Sequence, residues 1–272
     1  MNANTILSDL HGHSCFSDGL CSPSQVVDSA VLSGLSVIAL TDHNTTLGLQ
    51  EFEQKINEYR LKGINIIGIF GIEVSTEKGH ILFLFDNKDN AIDFGRYIKI
   101  GHDKNKFDKT IKLSEQFNPF IIVPHPEIPH VHSFTFDDID YLLKSYAHLV
   151  GSIGVEAING LSRVVMPSIM LKKHKQLQSE HLQRGWKANL FGNSDFHSFN
   201  NVGFGVTSFH TDKKITTAKE FLDFIRVLEN KGEVKLNKNN SLLHKVGSAV
   251  NIVIASIRYS FKMRQVGKDK NF

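Results

Sequence analysis

The sequence contains little cysteine and no long apolar run, and both shortages restrict what the chain can be. Its 272 residues include only two cysteines, Cys15 and Cys21, so a fold held together by a disulfide network is excluded. We interpret Cys15 as a small side chain in a tight loop in preference to a thiolate ligand. No stretch approaches the roughly 20 apolar residues of a membrane-spanning helix, and the amino terminus lacks a basic segment followed by an apolar signal core. We therefore expect a cytoplasmic protein.

Two further absences concern function. The sequence has no glycine-rich phosphate loop of the nucleoside-triphosphatase type and no recognisable polymerase domain. Hydrophobic residues nevertheless make up 41% of the chain, which is enough to bury a large core. We expect one self-contained catalytic domain over residues 1–234 and a basic C-terminal segment over residues 235–272.

Apolar runs typical of strands alternate with helical patterns along the chain. Ser22 and Gln25 form a capping-box pattern with Pro23 at the first helical position, and Gly34 marks the end of that helix. The run INIIGIFGIE is too continuously apolar for a strand that faces solvent on one side. The more polar region 86–118 is predicted to contain two short helices. This alternation favours an α/β fold built from βα units with parallel strands.

Most of the predicted strands end at a residue that can bind a metal ion. These residues are His11, His43, Glu73, His125, Glu156 and Asp195. His11 and His13 are two residues apart, so both imidazoles project from the same face of an extended segment. The carboxyl ends of the strands meet on one face of a βα barrel, where residues distant in sequence would surround one site. A metal centre explains the whole set, although any single carboxylate would also serve as a helix cap.

Seven motifs resemble, in order, those of the PHP superfamily, which takes its name from polymerase and histidinol phosphatase. They are DLHGHSCFSDG, ALTDHN, GIEVS, GHILFLF, PHP, GVEAING and GNSDFH, and they span Asp9 to His197. With a continuation through VGFGVTSF, the region of resemblance makes up about three quarters of the chain. The resemblance implies a distorted (β/α)7 barrel with up to three metal ions, usually zinc, manganese or iron. It also implies hydrolysis of phosphate esters.

Carried over position by position, the resemblance implies a complete set of metal ligands. His11, His13, Glu73 and Asp195 would hold one ion, Glu73 would bridge to a second ion held by His80 and His125, and a third would be held by Asp18, His43 and His197. Nitrogen and oxygen ligands without thiolate suit zinc, manganese or iron. We expect two to three divalent ions.

Three more carboxylates lie close to the ligands in sequence. Asp9 and Asp42 precede ligands, and we interpret them as hydrogen-bond acceptors that fix histidine orientation, with helix capping as the alternative. The role of Glu156 stays open between direct metal contact and a place beside the site.

Metal chemistry suggests how such a site would act on a phosphate ester. Clustered cations would neutralise the phosphate charge, and a metal-bridging hydroxide would attack phosphorus. We assign catalytic roles to Glu73, Asp195 and His197.

Three residues are candidates for binding the substrate phosphate. Arg163 follows the GVEAING motif and could donate two hydrogen bonds through its guanidinium. His130 and His132 belong to the proline-rich stretch PHPEIPHVH, which is stiff. Each candidate has an ordinary alternative as a solvated side chain. Glu127 stands where the family often has basic residues, which weakens the case for a phosphate clamp there.

The C-terminal segment is the most basic part of the chain. From Lys235 onward there are eight Lys or Arg residues and one acidic residue, a balance of +7 against +3 for the whole chain. Apolar residues recur at intervals of three and four between Leu242 and Phe261, which predicts an amphipathic helix. This helix would pack on the barrel or form an interface with a second copy, a membrane surface or nucleic acid.

The sequence predicts a metal-dependent hydrolase of a small phosphomonoester or nucleotide. The nearest alternative is a 3'-5' exonuclease or phosphodiesterase that acts on nucleic-acid ends, and a third is a non-enzymatic metal-containing binding protein. A rim left open by short loops would favour polymer ends. Closure of the rim by residues 86–118 would favour a small substrate.

Overall fold

The structure is a computed structural model that describes residues 4–101, 104–128, 132–228 and 232–236. These residues form one mixed sheet flanked by helices, which confirms the predicted α/β class. The strands and helices are β1 (Asn4–Asp9), α1 (Pro23–Leu32), β2 (Val37–Leu40), α2 (Leu49–Leu61), β3 (Ile67–Ser75), β4 (His80–Phe85), α3 (Lys88–Gly95), α4 (Phe107–Ser114), β5 (Phe120–Val123), α5 (Phe136–Ser145), β6 (Ile153–Asn159), α6 (Gly160–Val165), α7 (Pro167–Arg184), β7 (Asn189–Asn193), β8 (Gly205–Thr211), α8 (Ala218–Arg226) and β9 (Glu233–Leu236).

The sheet has the strand order β7-β6-β5-β4-β3-β2-β1-β8-β9. Strands β1 to β3 pair in parallel, as do β5 to β7, whereas β4 runs antiparallel to both of its neighbours. Only Thr76–Gly79 joins β3 to β4, and a parallel connection would need a crossover of about a dozen residues or more. The short turn therefore makes β3 and β4 a hairpin, and β4 separates the parallel strands β1 to β3 from the parallel strands β5 to β7. Strand β8 is antiparallel to β1, and β9 is antiparallel to β8.

The first helix begins as the sequence predicts. Ser22 Oγ accepts a hydrogen bond from the Gln25 backbone N–H, and the Gln25 side chain accepts one from the Ser22 N–H. Gly34 follows the helix with φ +72°, a left-handed conformation that costs glycine little. Region 86–118 contains the two predicted short helices, α3 and α4.

Apolar side chains fill both faces of the sheet. Every residue of β3 is buried, which confirms the expectation for INIIGIFGIE from Ile66 onward, whereas Ile64 at its start is exposed. Ile69 packs in one cluster with Phe221 and Ile225 of α8, and Ile72 belongs to a second cluster beneath the outer helices. Polar groups are left at the carboxyl rim, at the end of the barrel away from α8.

Helix α8 lies at the end of the barrel where β5 and β6 begin. Arg226, its last residue, donates hydrogen bonds to the Asn118 carbonyl at 2.8 Å and to Ser152 Oγ at 3.2 Å. Asn118 precedes β5 and Ser152 precedes β6. The helix thus occupies the end of the barrel opposite the carboxyl rim.

Side-chain hydroxyls join β7, the first strand in the sheet order, to β8, the last strand but one. Thr207 Oγ1 accepts from the Gly192 N–H at 2.9 Å and donates to the Gly192 carbonyl at 3.1 Å. Ser194 makes the same pair of contacts with Gly205, at 3.1 Å and 3.2 Å. These hydroxyl contacts replace the backbone hydrogen bonds of a regular strand pair, so the barrel is nearly closed.

This junction leaves no space for a side chain at position 205. A Cβ atom on Gly205 would lie 2.0 Å from the Asn193 carbonyl oxygen. We expect Gly205→Ala to lower the free energy of unfolding by at least about 3 kcal/mol, because two backbone segments would have to separate. Gly151→Ala is the control, since its Cβ would meet nothing closer than 3.4 Å; a change of about 0.5 kcal/mol or less is expected. Chemical denaturation measures both, and equal stabilities would show that the junction is loose.

Some sequence predictions concern residues at or beyond the boundary of the described residues. The amphipathic helix predicted between Leu242 and Phe261, and the interface suggested for it, lie outside the described residues. Strand β9 extends across the boundary expected at residue 234 and pairs with β8. None of the described helices has the length and apolarity needed to cross a bilayer.

Candidate metal centre

All the side chains assigned to metal binding lie together on the carboxyl rim of the barrel. In four overlapping groups, the potential ligand atoms lie within 4.8 Å of one another; the groups are His13, Asp18, His43 and His197; His11, His13 and Asp195; His11, Glu73 and His125; and His43, Glu73 and His80. His80 reaches this rim as the first residue of β4, because that strand runs in the opposite direction. Cys15 belongs to none of these groups in the described part of the chain.

Glu73 is buried at the centre of the site, and each of its oxygens faces imidazole nitrogens. Its Oε2 and Oε1 atoms lie between 3.0 and 3.3 Å from nitrogens of five rings, with Oε2 facing His11, His13 and His43, and Oε1 facing His80 and His125. This carboxylate alone touches members of all three predicted ligand sets. The geometry is that of a bridging ligand.

Two further carboxylates complete the rim. Asp195 Oδ1 lies 3.4 Å from His11 Nε2 and 3.2 Å from His13 Nε2. Asp18 Oδ2 lies 3.1 Å from His197 Nε2 and 3.6 Å from His43 Nε2. With longer contacts to His197 and His13, each carboxylate faces three imidazoles within 3.8 Å.

Several buried ring nitrogens lack the pairing that buried polar atoms normally have. Neither nitrogen of His13, nor Nδ1 of His125, has a hydrogen-bond partner among the described residues, although His13 Nε2 lies only 3.1 Å from Glu73 Oε2. Buried polar atoms are usually satisfied. Imidazole nitrogens and carboxylate oxygens that converge in this way form a suitable cage for a divalent cation, so the residues fit zinc, manganese or iron.

The electrostatics of the site also suit a cation. Burial opposes ionisation of Glu73 and Asp195, but the neighbouring histidines hold the pKa of both carboxyls well below their usual values. Burial would lower the pKa of His13, yet Asp18, Asp195 and Glu73 raise it to about 10. The carboxylates are ionised at neutral pH, and a metal ion at His13 would displace a proton.

Two of the predicted ligands have strained backbones. The φ angle is +34° at His125 and +54° at Asp195, a left-handed region that few non-glycine residues adopt. Such strain costs about 1 to 3 kcal/mol and persists only where neighbouring contacts hold it. At Asp195, the backbone N–H donates to the His11 carbonyl at 2.9 Å, and Asn159 Nδ2 donates to Oδ2 at 3.0 Å.

Glu156 is placed beside the ligands as a buried hydrogen-bond acceptor. Its Oε1 accepts from His11 Nδ1 and Asn193 Nδ2, each at 3.0 Å. Its Oε2 accepts from the His125 N–H at 2.8 Å and from Asn159 Nδ2 at 3.0 Å. Because both oxygens are occupied, Glu156 holds two of the predicted ligands, His11 and His125, in place. Asn159 and Asn193 were not predicted as site residues. Their only indication in the sequence is an amide side chain at the end of a strand.

The hydrogen bonds of Asp9 and Asp42 hold loops of the site. Asp9 accepts from the backbone N–H groups of Ser194 and Gly203, both at 2.9 Å. Asp42 accepts from the N–H and the hydroxyl of Ser14, both at 2.7 Å. These contacts fix the segments that carry ligands, whereas the sequence analysis expected contacts with histidine rings.

The three candidates for phosphate binding are placed differently. His132 lies beside the site: its carbonyl accepts from the His80 N–H at 3.0 Å, and the two ring centroids are 5.8 Å apart. Arg163 lies in α6, which directly follows the strand that carries Glu156. His130 lies outside the described residues.

Removing Glu156 tests its orienting role. We expect Glu156→Ala to weaken metal affinity about 10- to 100-fold, because His11 loses its acceptor and the His125 backbone loses its anchor. Glu156→Gln keeps the volume and one acceptor oxygen, so its loss should be smaller. Metal titration of the purified variants measures the effect, and wild-type affinity in Glu156→Ala would contradict the assignment.

The fold and the site together define a nearly closed α/β barrel with a carboxylate-bridged histidine cluster on its rim. The family model of the PHP domain matches residues 9–155, more than half of the chain. The chain belongs to the PHP domain family.

Known proteins similar to this chain include enzymes that act on different phosphate esters. A 5'-3' exoribonuclease of Haemophilus influenzae is 44% identical over 68 residues, which is 25% of this chain and 23% of that protein. A 3',5'-nucleoside bisphosphate phosphatase of Chromobacterium violaceum is 38% identical over 71 residues, 26% of this chain and 23% of that protein. The aligned segments thus span about a quarter of either relative.

The fold also occurs in solved structures. A two-domain protein of Bacteroides vulgatus that contains a predicted PHP-like metal-dependent phosphoesterase superposes with a TM-score of 0.57 at 18% identity, covering 86% of this chain and 66% of that chain. At this identity the likeness supports the barrel fold.

Proposed function

We propose that this chain is a metal-dependent phosphoesterase that hydrolyses a small phosphomonoester or nucleotide. The observation that carries the proposal is the cluster of histidine and carboxylate ligand atoms that converge on Glu73. The catalytic unit would be the barrel of residues 1–234, and residues 235–272 would form a separate basic segment.

Two to three divalent ions of zinc, manganese or iron would occupy the site. His11, His13, Glu73 and Asp195 would form one subsite, Glu73, His80 and His125 a second, and Asp18, His43 and His197 a third. When bound, the ions would neutralise phosphate charge and activate water. Membership of the PHP domain family supports this assignment.

The chain's own residues would position these ligands and the substrate. Glu73 is committed through both oxygens to five imidazoles, which supports a bridging role. His197 Nδ1 donates to the Asp195 carbonyl at 2.9 Å, and its Nε2 faces Asp18 Oδ2 at 3.1 Å. Since both nitrogens are engaged, these contacts favour His197 as a ligand over His197 as a proton donor. Arg163 and His132 remain our candidates for contacts with the substrate phosphate.

A small substrate is favoured because part of region 86–118 packs against the rim. Asn105 is buried; its Nδ2 donates to the Ser75 carbonyl at 3.1 Å, and the residue forms a β-bridge with Thr76. The Phe107 N–H donates to Glu77 Oε2 at 2.7 Å. These contacts hold the segment beside the β3–β4 turn and narrow that side of the site.

An exonuclease or phosphodiesterase that acts on nucleic-acid ends is the second candidate. The observation that favours it is the 44% identity with a 5'-3' exoribonuclease over 68 residues. That relative is a 5'-3' exoribonuclease, whereas the sequence suggested the 3'-5' direction, so the test must cover both ends of a polynucleotide.

Parallel assays with manganese separate the two candidates. The protein would be given a generic phosphomonoester, a dinucleotide and short single-stranded RNA labelled at either end. We expect metal-dependent phosphate release from the monoester to be the fastest reaction. Selective cleavage of the dinucleotide or of one RNA end would move the nuclease function into first place, and no hydrolysis of any substrate with saturating metal would contradict both.

A further inference from the structure

The loop that presents His125 contains two residues with a left-handed backbone, one on either side of a proline. His125 has φ +34° and Glu127 has φ +58°, with Pro126 between them. Neither left-handed residue is a glycine, so surrounding contacts must hold the loop in place. On one side, the His125 N–H donates to Glu156 Oε2 at 2.8 Å. The contacts on the other side centre on Glu127.

Glu127 makes three contacts with two other parts of the chain, the start of α5 and helix α7. Its N–H donates to the Phe134 carbonyl at 3.0 Å. Its Oε1 accepts from the N–H of Phe136, the first residue of α5, at 3.1 Å. Its Oε2 lies 3.5 Å from Lys173 Nζ on α7, and about a quarter of each side chain is exposed, 27% for Glu127 and 25% for Lys173.

We propose that Glu127 and Lys173 are a positioning pair that sets the divalent-cation affinity of the subsite formed by Glu73, His80 and His125. The proposal rests on the proposed function, since it requires that this subsite bind a metal ion. Glu127 itself belongs to none of the ligand groups found among the described residues. It would act through the backbone of His125.

The physical reason is the division of the loop between two anchors. Glu156 holds the start of the strained turn, and Glu127 holds its end to α5 and α7. Loss of the Glu127 carboxylate would release that end and let His125 relax from its strained φ. The His125 ring, now 3.3 Å from Glu73 Oε1, would then move out of register with that oxygen. The subsite built on Asp18, His43 and His197 uses other loops and should keep its affinity.

Graded substitutions separate the two functions of the carboxylate. Glu127→Gln keeps an oxygen for the Phe136 N–H but loses the charge that faces Lys173, whereas Glu127→Ala loses both contacts. Lys173→Gln removes the cation alone. Glu180→Gln is the control, because it breaks an ion pair with Arg184 on the same helix, with a 2.6 Å contact, away from the loop.

The readout is equilibrium dialysis against manganese or zinc alone, followed by elemental analysis, with thermal unfolding of each metal-free variant as a check on folding. We expect Glu127→Ala to weaken one class of site about 10- to 100-fold, with smaller losses in Glu127→Gln and Lys173→Gln and none in Glu180→Gln. The remaining sites should bind as in the wild type.

Double variants test whether Glu127 acts through His125. If it does, adding Glu127→Ala to His125→Ala should cause no further loss of affinity, whereas adding it to His43→Ala should cause its full effect. Wild-type binding by Glu127→Ala, or an equal loss at every site, would overturn the positioning role. Absence of bound metal in the wild type would instead overturn the proposed function, so the two failures are distinguishable.

Discussion

Glu73→Gln is expected to lower metal-dependent phosphoester hydrolysis by at least about a thousandfold, equivalent to roughly 4 kcal/mol of transition-state stabilisation. The Glu73 carboxylate lies within 3.3 Å of nitrogens from five histidines, so its charge is shared by every predicted subsite. Glutamine has nearly the same shape but is neutral, and its amide NH2 would face imidazole nitrogens or a cation. Steady-state kinetics with saturating manganese measures the loss.

The matched control lies four residues away on the same hairpin. Glu77 Oε2 accepts from the Phe107 N–H and faces no ligand in the described residues. Glu77→Gln should retain most activity, and both variants should fold. Comparable activity in Glu73→Gln and the wild type would remove the bridging carboxylate from the account.

Removal of metal by a chelator is expected to abolish hydrolysis and to lower the thermal midpoint. A ligand at 100 times its dissociation constant stabilises the folded state by about 2.7 kcal/mol, which corresponds to roughly 5 to 10 °C for a domain of this size. Without a cation, the site contains crowded carboxylates and imidazoles, and the pKa of His13 is raised to about 10 by its carboxylate neighbours.

Adding metal back to the protein distinguishes the loss of metal from irreversible damage to the fold. Addition of manganese or zinc to the chelated protein should recover both activity and the thermal midpoint, whereas magnesium is a weaker match for an imidazole-rich site. Full activity in protein whose metal has been removed and verified as absent would contradict a metal-dependent mechanism.

The sequence predicted that these side chains would lie together because each of them has a local signal in the sequence. His11 and His13 share a short motif, and His43, His125 and Asp195 follow apolar runs that could only be strands. Parallel strands bring their carboxyl ends to one rim, so knowledge of each end sufficed to predict the cluster. The same local logic predicted the start of α1, where the capping box involves residues three apart.

The groups that hold the ligands in place could not be predicted in this way. The contact between His11 and Glu156 joins residues 145 apart in the chain, and that between Glu156 and Asn193 joins residues 37 apart. Such pairings depend on strand register and on which rotamer fits a buried space. The same is true of Thr207 and Ser194, whose hydroxyls join β7 to β8 through contacts that no sequence pattern indicates.

The direction of strand β4 differs from the sequence prediction. His80 was predicted as a ligand and lies in the cluster, but the strands were expected to be parallel and β4 is not. The turn between Ser75 and His80 is too short for a crossover. The length of this turn therefore already indicates that β4 reverses direction. The reversal also explains how a residue at the start of a strand joins residues at the ends of others.

The central claim is that the rim binds metal, and elemental analysis of protein purified without added metal tests it most directly. Wild-type protein should carry about two to three ions of zinc, manganese or iron per chain, or take them up from dilute solution, and Glu73→Gln should carry fewer. Wild-type protein that neither retains nor takes up such ions, while folded, would contradict the account.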